Sequence, residues 1–183
     1  CEPSMKNAII FTGSGGQGVM SMGIMLAQSA VESGRHAAYM PSYGPEQRGG
    51  SAKCTVVIDT EEIVSPMAGS GGVLVAMNNT AYKKFIGELE PGGTLLYDST
   101  LVTVPIERTD ITAIGIPADA LALEVGSPRV ANVIVIGALI ALTGLVTPEE
   151  FQRSLDLKFA KKSDAVRAMN AEALKRGIAA AQK

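Results

Sequence analysis

The sequence predicts one α/β domain with three layers, in which helices cover both faces of a mostly parallel, Rossmann-like sheet. Short apolar runs alternate with segments of helical periodicity up to about residue 116. A glycine-rich turn joins the first apolar run to the first helical segment, and the last third of the chain has helical patterning. Because 183 residues match the length of one ordinary domain, we expect residues 5–183 to form it. Residues 1–4 are expected to be a remnant ahead of a natural start at Met5.

The first predicted unit is a strand, a glycine turn, a helix and a second strand. The apolar run at residues 8–11 predicts a buried strand, and the apolar spacing over residues 19–34 predicts a helix that Gly34 closes. A second strand is predicted at residues 36–40, where Pro41 ends it. Such a unit nearly always forms a right-handed crossover between parallel strands.

The middle of the chain predicts more strands than helices. Pro91, Gly92 and Gly93 stop a helix predicted over residues 80–89. The other predicted elements are strands at residues 53–58, 73–77, 94–98 and 111–116.

The last third predicts helices with recognisable starts. Ser127 and Pro128 supply an N-cap hydroxyl and a first-turn proline, and residues 147–150 form a capping box. A final helix is predicted over residues 164–182. The apolar run at residues 130–146 is barely long enough to cross a bilayer. Because polar residues and glycines interrupt it, we interpret it as a buried helix.

Composition excludes several classes of protein. Sixteen basic and eighteen acidic residues give a net charge of −2, so no basic excess exists for nucleic-acid binding. A content of 46% hydrophobic and 19% charged residues excludes disorder. The two cysteines, Cys1 and Cys54, and the single histidine, His36, argue against a disulfide framework, an iron–sulfur cluster and a zinc site. Without a signal pattern or a membrane span, the predicted location is the cytoplasm.

The glycine turn is the first candidate binding site. It fits the GxGxxG pattern directly after a strand and before a helix, where free N–H groups favour an anion. A dinucleotide site also requires a carboxylate at the end of the second strand, yet residues 38–42 contain none. The alternative is a tight turn that binds nothing. The candidate residues are Gly13, Gly15, Gly16, Gln17 and Gly18.

A glycine- and proline-rich loop at residues 41–50 is the second candidate. An arginine fork suits a phosphate or a carboxylate, and loops after parallel strands share one sheet edge. Both glycine segments could therefore flank one site. The alternative is a surface salt bridge between Arg48 and Glu46 or a neighbouring residue, which stabilises little. The candidate residues are Tyr43, Gly44, Arg48, Gly49 and Gly50.

The sequence contains no evident catalytic constellation. His36 is interpreted as structural, and Cys54, inside a strand pattern, as a buried inert thiol. Asp98 at a strand end either holds a ligand or caps a turn. We therefore expect no catalytic residue and interpret the chain as a binding domain or an accessory subunit.

Several motifs together resemble the gamma subunit of 2-oxoacid:ferredoxin oxidoreductases. The joint occurrence of GSGGQG and YGPEQRGG in this order is specific to that family, and the likeness covers nearly the whole chain. One departure is Gly71-Gly72, where family members often carry an acidic residue. The motifs are GSGGQG at 13–18, SYGPEQRGGSAKCTVVI at 42–58, EIVSP at 62–66, VLVAMN at 73–78, PGGTLLYDS at 91–99 and ANVIVIGAL at 131–139.

The resemblance implies a role in a multi-subunit enzyme. These enzymes convert a 2-oxoacid, coenzyme A and oxidised ferredoxin into acyl-CoA, CO2 and reduced ferredoxin. By resemblance, thiamine diphosphate, Mg and the iron–sulfur clusters belong to partner subunits (alpha, beta and a ferredoxin-like delta). This chain would bind no cofactor alone and would help to enclose the co-substrate coenzyme A. The SYGPEQRGG form looks nearest to the 2-oxoglutarate type, and indolepyruvate, branched-chain and pyruvate enzymes share much of it.

The sequence is consistent with two functions. The first is a non-catalytic gamma subunit that assists assembly, with self-association expected when it is isolated. The second is a self-contained NAD-binding Rossmann oxidoreductase, which the missing carboxylate after the second strand disfavours.

Overall fold

The structure is a computed structural model that describes residues 7–42, 50–63 and 71–183. The described residues also form three short 3-10 turns, at Gly15–Gln17, Ile86–Glu88 and Pro128–Val130. The described strands are β1 (Ala8–Ser14), β2 (His36–Ser42), β3 (Ser51–Asp59), β4 (Gly71–Ala76), β5 (Leu89–Asp98) and β6 (Thr112–Ile116). The described helices are α1 (Val19–Glu32), α2 (Asn79–Phe85), α3 (Ala118–Val125), α4 (Ala131–Thr143), α5 (Pro148–Lys158) and α6 (Asp164–Ala181).

The strands form one six-stranded sheet in the order β2-β3-β1-β4-β5-β6. Only β3 runs against its neighbours, because β1, β4, β5 and β6 pair in parallel and β2 is antiparallel to β3. The mostly parallel sheet predicted from the sequence is therefore confirmed. The strands of the first predicted unit, β1 and β2, do point the same way, but β3 lies between them.

Two strands extend over prolines and glycines that the sequence predicts to lie outside them. Pro41 lies inside β2, opposite Cys54 of β3. Since β2 is an edge strand, the missing N–H of proline is tolerated there. The segment at 91–93 likewise lies inside β5, where a register shift between Gly71 and Val73 accommodates it. The predicted helix before it, over residues 80–89, is correspondingly shorter.

The two faces of the sheet carry unequal helical layers. Alternate residues of β1 point to opposite faces, with Ile9 and Phe11 in the larger core and Ile10 in the smaller one. Helices α1, α4 and α6 contact the sheet on the larger side, whereas α2 contributes Tyr82 and Phe85 to the smaller core. The predicted three-layer arrangement is thus confirmed.

The helical third follows its predicted starts. Ser127 Oγ accepts a hydrogen bond from Arg129 N, and the capping box of Thr147 and Glu150 is complete. Every residue from 133 to 140 is buried, which confirms the buried helix. In the part of the chain that the structure describes, no helix is both long and apolar enough to cross a membrane. Helix α3 is an element that the sequence patterns did not predict.

Candidate functional site

The glycine turn follows the carboxyl end of β1. After Ser14 the chain makes the 3-10 turn, and Gly18 adopts a left-handed conformation with φ of 70° just before α1. A Cβ on Gly13 would lie 2.8 Å from both Gln17 Oε1 and Val19 Cγ2. Glycine is therefore required at positions 13 and 18 by the geometry of the turn itself.

Gly15 and Gly16 differ from Gly13 and Gly18, because the geometry of the turn does not require glycine at either position. Neither residue has a positive φ, and a Cβ on either would meet nothing within 4 Å. Both are exposed. The backbone at these positions borders open space, so no contact within the described chain explains the two glycines.

The side-chain amide of Gln17 is used within the turn. Its Oε1 accepts hydrogen bonds from Ser14 N and Asn78 Nδ2, both at 2.9 Å, and its Nε2 donates to Met77 O at 3.1 Å. Asn78 in turn caps α2, because its Oδ1 accepts from Ala81 N at 2.8 Å. Gln17 thus fixes the glycine turn onto the junction between β4 and α2. Asn78 belongs to this arrangement, although its sequence signal was only the end of the VLVAMN motif.

A cavity of about 280 Å³ opens beside the turn. Its lining includes Gly16, Asp98, Asp119, Arg129 and Asn132. Arg129 is exposed and makes no ion pair with another described residue. It offers a guanidinium at the carboxyl edge of the parallel strands, where open α/β sheets bind ligands.

Asp98 is a turn-capping carboxylate. It is fully buried, and its Oδ1 and Oδ2 accept hydrogen bonds from Thr100 N at 3.0 Å and Asp119 N at 3.2 Å. Burial raises the pKa of this carboxyl above its ordinary value, and the two N–H donors partly oppose that rise. The structure therefore supports the turn-capping interpretation. Because Asp119 lies in the first turn of α3, the same carboxylate also accepts a hydrogen bond from the start of that helix.

The second glycine segment begins and ends at the same edge. Tyr43, Gly44, Arg48 and Gly49 lie outside the described residues, whereas Gly50 is half-buried immediately before β3. Ser51 pairs with Ser14 across the β1–β3 ladder, and Ser42 pairs with Lys53. Ser42 and Gly50 therefore lie at the same edge of the sheet as the glycine turn, and the hypothesis that both glycine segments flank one site stays a prediction.

Cys54 and His36, the other candidate residues, do not line the cavity beside the glycine turn. Cys54 is buried against α1, where its Sγ donates to Val19 O at 3.4 Å, and burial raises its pKa to about 12. The thiol is buried as the sequence predicts, and its lack of reactivity stays a prediction. His36 is exposed at the start of β2. Within residues 7–42, 50–63 and 71–183, no group of three His, Cys, Asp or Glu side chains could hold a metal ion.

Comparison with known proteins gives consistent results. Ketoisovalerate oxidoreductase subunit VorA of Methanothermobacter thermautotrophicus is 43% identical over 152 residues, which are 82% of this chain but 31% of that protein. This chain therefore spans about a third of the length of that relative.

Two solved structures share the fold. One is the gamma subunit of keto/oxoacid ferredoxin oxidoreductase from Geobacter sulfurreducens, at TM-score 0.83 and 32% identity over 97% of this chain and 99% of that one. The other is 2-oxoglutarate:ferredoxin oxidoreductase from Magnetococcus marinus with 2-oxoglutarate, coenzyme A and succinyl-CoA bound. Its TM-score is 0.87 and its identity 29%, over 96% of this chain and 31% of that one.

The family profile described as pyruvate ferredoxin/flavodoxin oxidoreductase matches residues 8–180, which is nearly the whole described fold. This match confirms the resemblance predicted from the GSGGQG and YGPEQRGG motifs. The chain belongs to the pyruvate ferredoxin/flavodoxin oxidoreductase family.

Proposed function

We propose that this chain is the gamma subunit of a 2-oxoacid:ferredoxin oxidoreductase. In this role it carries no catalytic residue, helps the subunits to assemble and closes the coenzyme A side of the active site. The observation that carries the proposal is the open backbone at Gly15 and Gly16, which have no steric reason within the described chain to be glycine. A closely approaching ligand or partner supplies that reason.

Two further observations support a ligand at this edge. Arg129 contributes a cation to the cavity beside the turn. Ser42 and Gly50, which flank the segment that contains Arg48, lie at the same edge of the sheet as the turn. The neighbour from Magnetococcus marinus has coenzyme A bound. We place the coenzyme A contacts on the glycine turn and on Tyr43, Gly44, Arg48, Gly49 and Gly50.

The partner subunits supply the redox chemistry in this proposal. Alpha and beta subunits hold thiamine diphosphate and Mg, and a ferredoxin-like delta subunit holds iron–sulfur clusters. The complex is placed in the cytoplasm. This assignment is consistent with a chain that has only two cysteines, one of them buried in the core.

The proposed substrate is a 2-oxoacid of the 2-oxoglutarate type, which the form of the SYGPEQRGG motif favours. Ketoisovalerate is a second candidate, because the VorA relative is 43% identical over 152 residues. Initial rates of the purified complex with each 2-oxoacid, measured by ferredoxin reduction, distinguish the two. A rate that is higher with ketoisovalerate would transfer the assignment to the branched-chain type.

An NAD-dependent enzyme is not supported by the strand arrangement. The second strand of the unit, β2, is separated from β1 by β3 and contains no carboxylate up to its last residue, Ser42. A ribose-binding acidic residue next to the glycine turn is therefore missing from its usual place. A thermal shift of the isolated chain with NAD, but not with coenzyme A, would favour the oxidoreductase alternative.

The proposal is tested in the reconstituted complex with Arg48→Ala and Arg48→Lys. We expect both variants to raise the KM for coenzyme A, because lysine keeps the charge but loses the bidentate fork. Arg153→Ala, an exposed arginine on α5, is the matched control and should leave that KM unchanged. Unchanged values for both Arg48 variants would refute the site assignment. A wild-type chain that does not bind alpha and beta subunits would refute the function itself.

A further inference from the structure

We infer that a cationic cleft on the helical face of the domain binds an acidic, partly apolar segment of a partner subunit. The cleft, named here the α1–α6 cleft, has a volume of about 460 Å³ and lies between residues of α1, α4, α5 and α6. The inference rests on the proposed function, because it assumes that this chain is one subunit of a complex. The cleft adjoins the cavity beside the glycine turn, with which it shares Arg129 and Asn132, but most of its lining belongs to the helices.

The floor of the α1–α6 cleft is apolar. Met25 of α1 is buried, and Phe159 and Met169 are partly buried against the larger core. Methionine side chains adapt their shape to an incoming apolar group. Leu157, which is 63% exposed, extends apolar surface next to Lys158. An inorganic anion would gain nothing from such a floor.

The lining of the cleft is positively charged. Arg129, Lys158 and Lys162 contribute cations, and no acidic side chain lines the cleft. All three are exposed, and none pairs with a carboxylate among the described residues. The chain as a whole has a net charge of −2, so this concentration of cations runs against its average.

The apolar floor and the cationic lining together indicate which kind of partner segment fits the cleft. Carboxylates of the partner would face the three cations, and an apolar side chain between them would contact the methionine and phenylalanine floor. Charge complementarity of this kind sets the orientation and the association rate of two proteins. An acidic segment with one or two apolar residues therefore fits the cleft better than a neutral or basic one.

Charge reversal tests the inference in the intact complex. We expect Lys158→Glu combined with Lys162→Glu to weaken binding to the alpha and beta subunits by at least about tenfold, because each change replaces attraction with repulsion. Lys161→Glu is the matched control, since Lys161 is exposed next to Lys162 but does not line the cleft. It should change the affinity by less than about twofold.

A carbodiimide reagent, which couples lysine amines to carboxylates at contact distance, gives the second measurement. In the wild-type complex we expect Lys158 or Lys162 to be coupled to an aspartate or glutamate of a partner subunit. Crosslinks only to carboxylates of the same chain, or equal affinities for the double variant and the control, would overturn the inference. Failure of the wild-type chain to bind the subunits at all would instead refute the proposed function.

Discussion

The glycines of the turn divide into two classes that mutation can separate. Gly18 has φ of 70°, a region that costs a residue with a side chain about 1–2 kcal/mol. A Cβ on Gly18 would also lie 3.3 Å from Asn132 Nδ2. The Asn132 side chain is held in place, because its Oδ1 accepts a hydrogen bond from Val133 N. Gly15 has neither constraint, because its φ is not positive and its Cβ position is open.

We therefore expect Gly18→Ala to lower the free energy of unfolding by about 1–3 kcal/mol, the sum of backbone strain and displacement of Asn132. For a domain of this size, that loss corresponds to a decrease of roughly 2–12 °C in Tm. Gly15→Ala should stay within about 0.5 kcal/mol of the wild type. Urea unfolding of the isolated chain, which has its own continuous core, measures both values.

The same positions should behave differently in the complex. Gly15→Val adds a branched side chain that touches nothing in the described chain, so a loss of subunit affinity or a raised KM for coenzyme A would arise from contact with another molecule. If Gly15→Ala destabilises the isolated chain as much as Gly18→Ala, the geometric reasoning is refuted. If Gly15→Val assembles and turns over normally, the turn is only a connector.

Three further predictions concern the core. Gly177→Ala should lower the unfolding free energy by more than about 2 kcal/mol, because its Cβ would overlap Ile134 O and outweigh the gain in helix propensity. The raised pKa of Asp98 means that its contribution to stability falls as pH rises from the ordinary carboxyl pKa through the folded value. Asp98→Asn should remove this pH dependence from the free energy of unfolding. The measurement runs from about pH 4, near the ordinary carboxyl pKa, to about pH 7. With a pKa of about 12, Cys54 should resist iodoacetamide at neutral pH until urea unfolds the chain.

Each of these has a contradicting result. A Gly177→Ala chain as stable as the wild type would mean that the backbones of α4 and α6 are farther apart than described. An Asp98→Asn variant with the wild-type pH slope would place the titrating group elsewhere. Peptide mapping that finds Cys54 alkylated in the folded chain would show that the thiol is accessible.

Much of the fold can be predicted from the sequence, because it depends on interactions between residues that are close in the chain. The capping box at Thr147 and Glu150 begins α5 because its hydrogen bonds join residues three apart. The apolar run in α4 identified a buried helix, and Gly18 marked the end of the glycine turn. These features depend on near neighbours in the chain, so sequence spacing is sufficient to predict them.

The arrangement of the site required the tertiary structure. The sequence predicts Gln17 as a binding residue, whereas in the structure its amide bonds to Met77 and Asn78, 60 and 61 residues away. The sequence could not distinguish a glycine that faces open space, such as Gly15, from one that the turn requires, because both lack a side chain.

Strand order was also beyond the sequence. Only pairing shows that β3 enters between β1 and β2, which makes β2 an edge strand and allows Pro41 within it. The same pairing sets Ser51, where β3 begins, opposite Ser14, which precedes the glycine turn. Contacts between residues far apart in the chain decide these features, because burial and strand pairing are properties of the assembled sheet and not of any single segment.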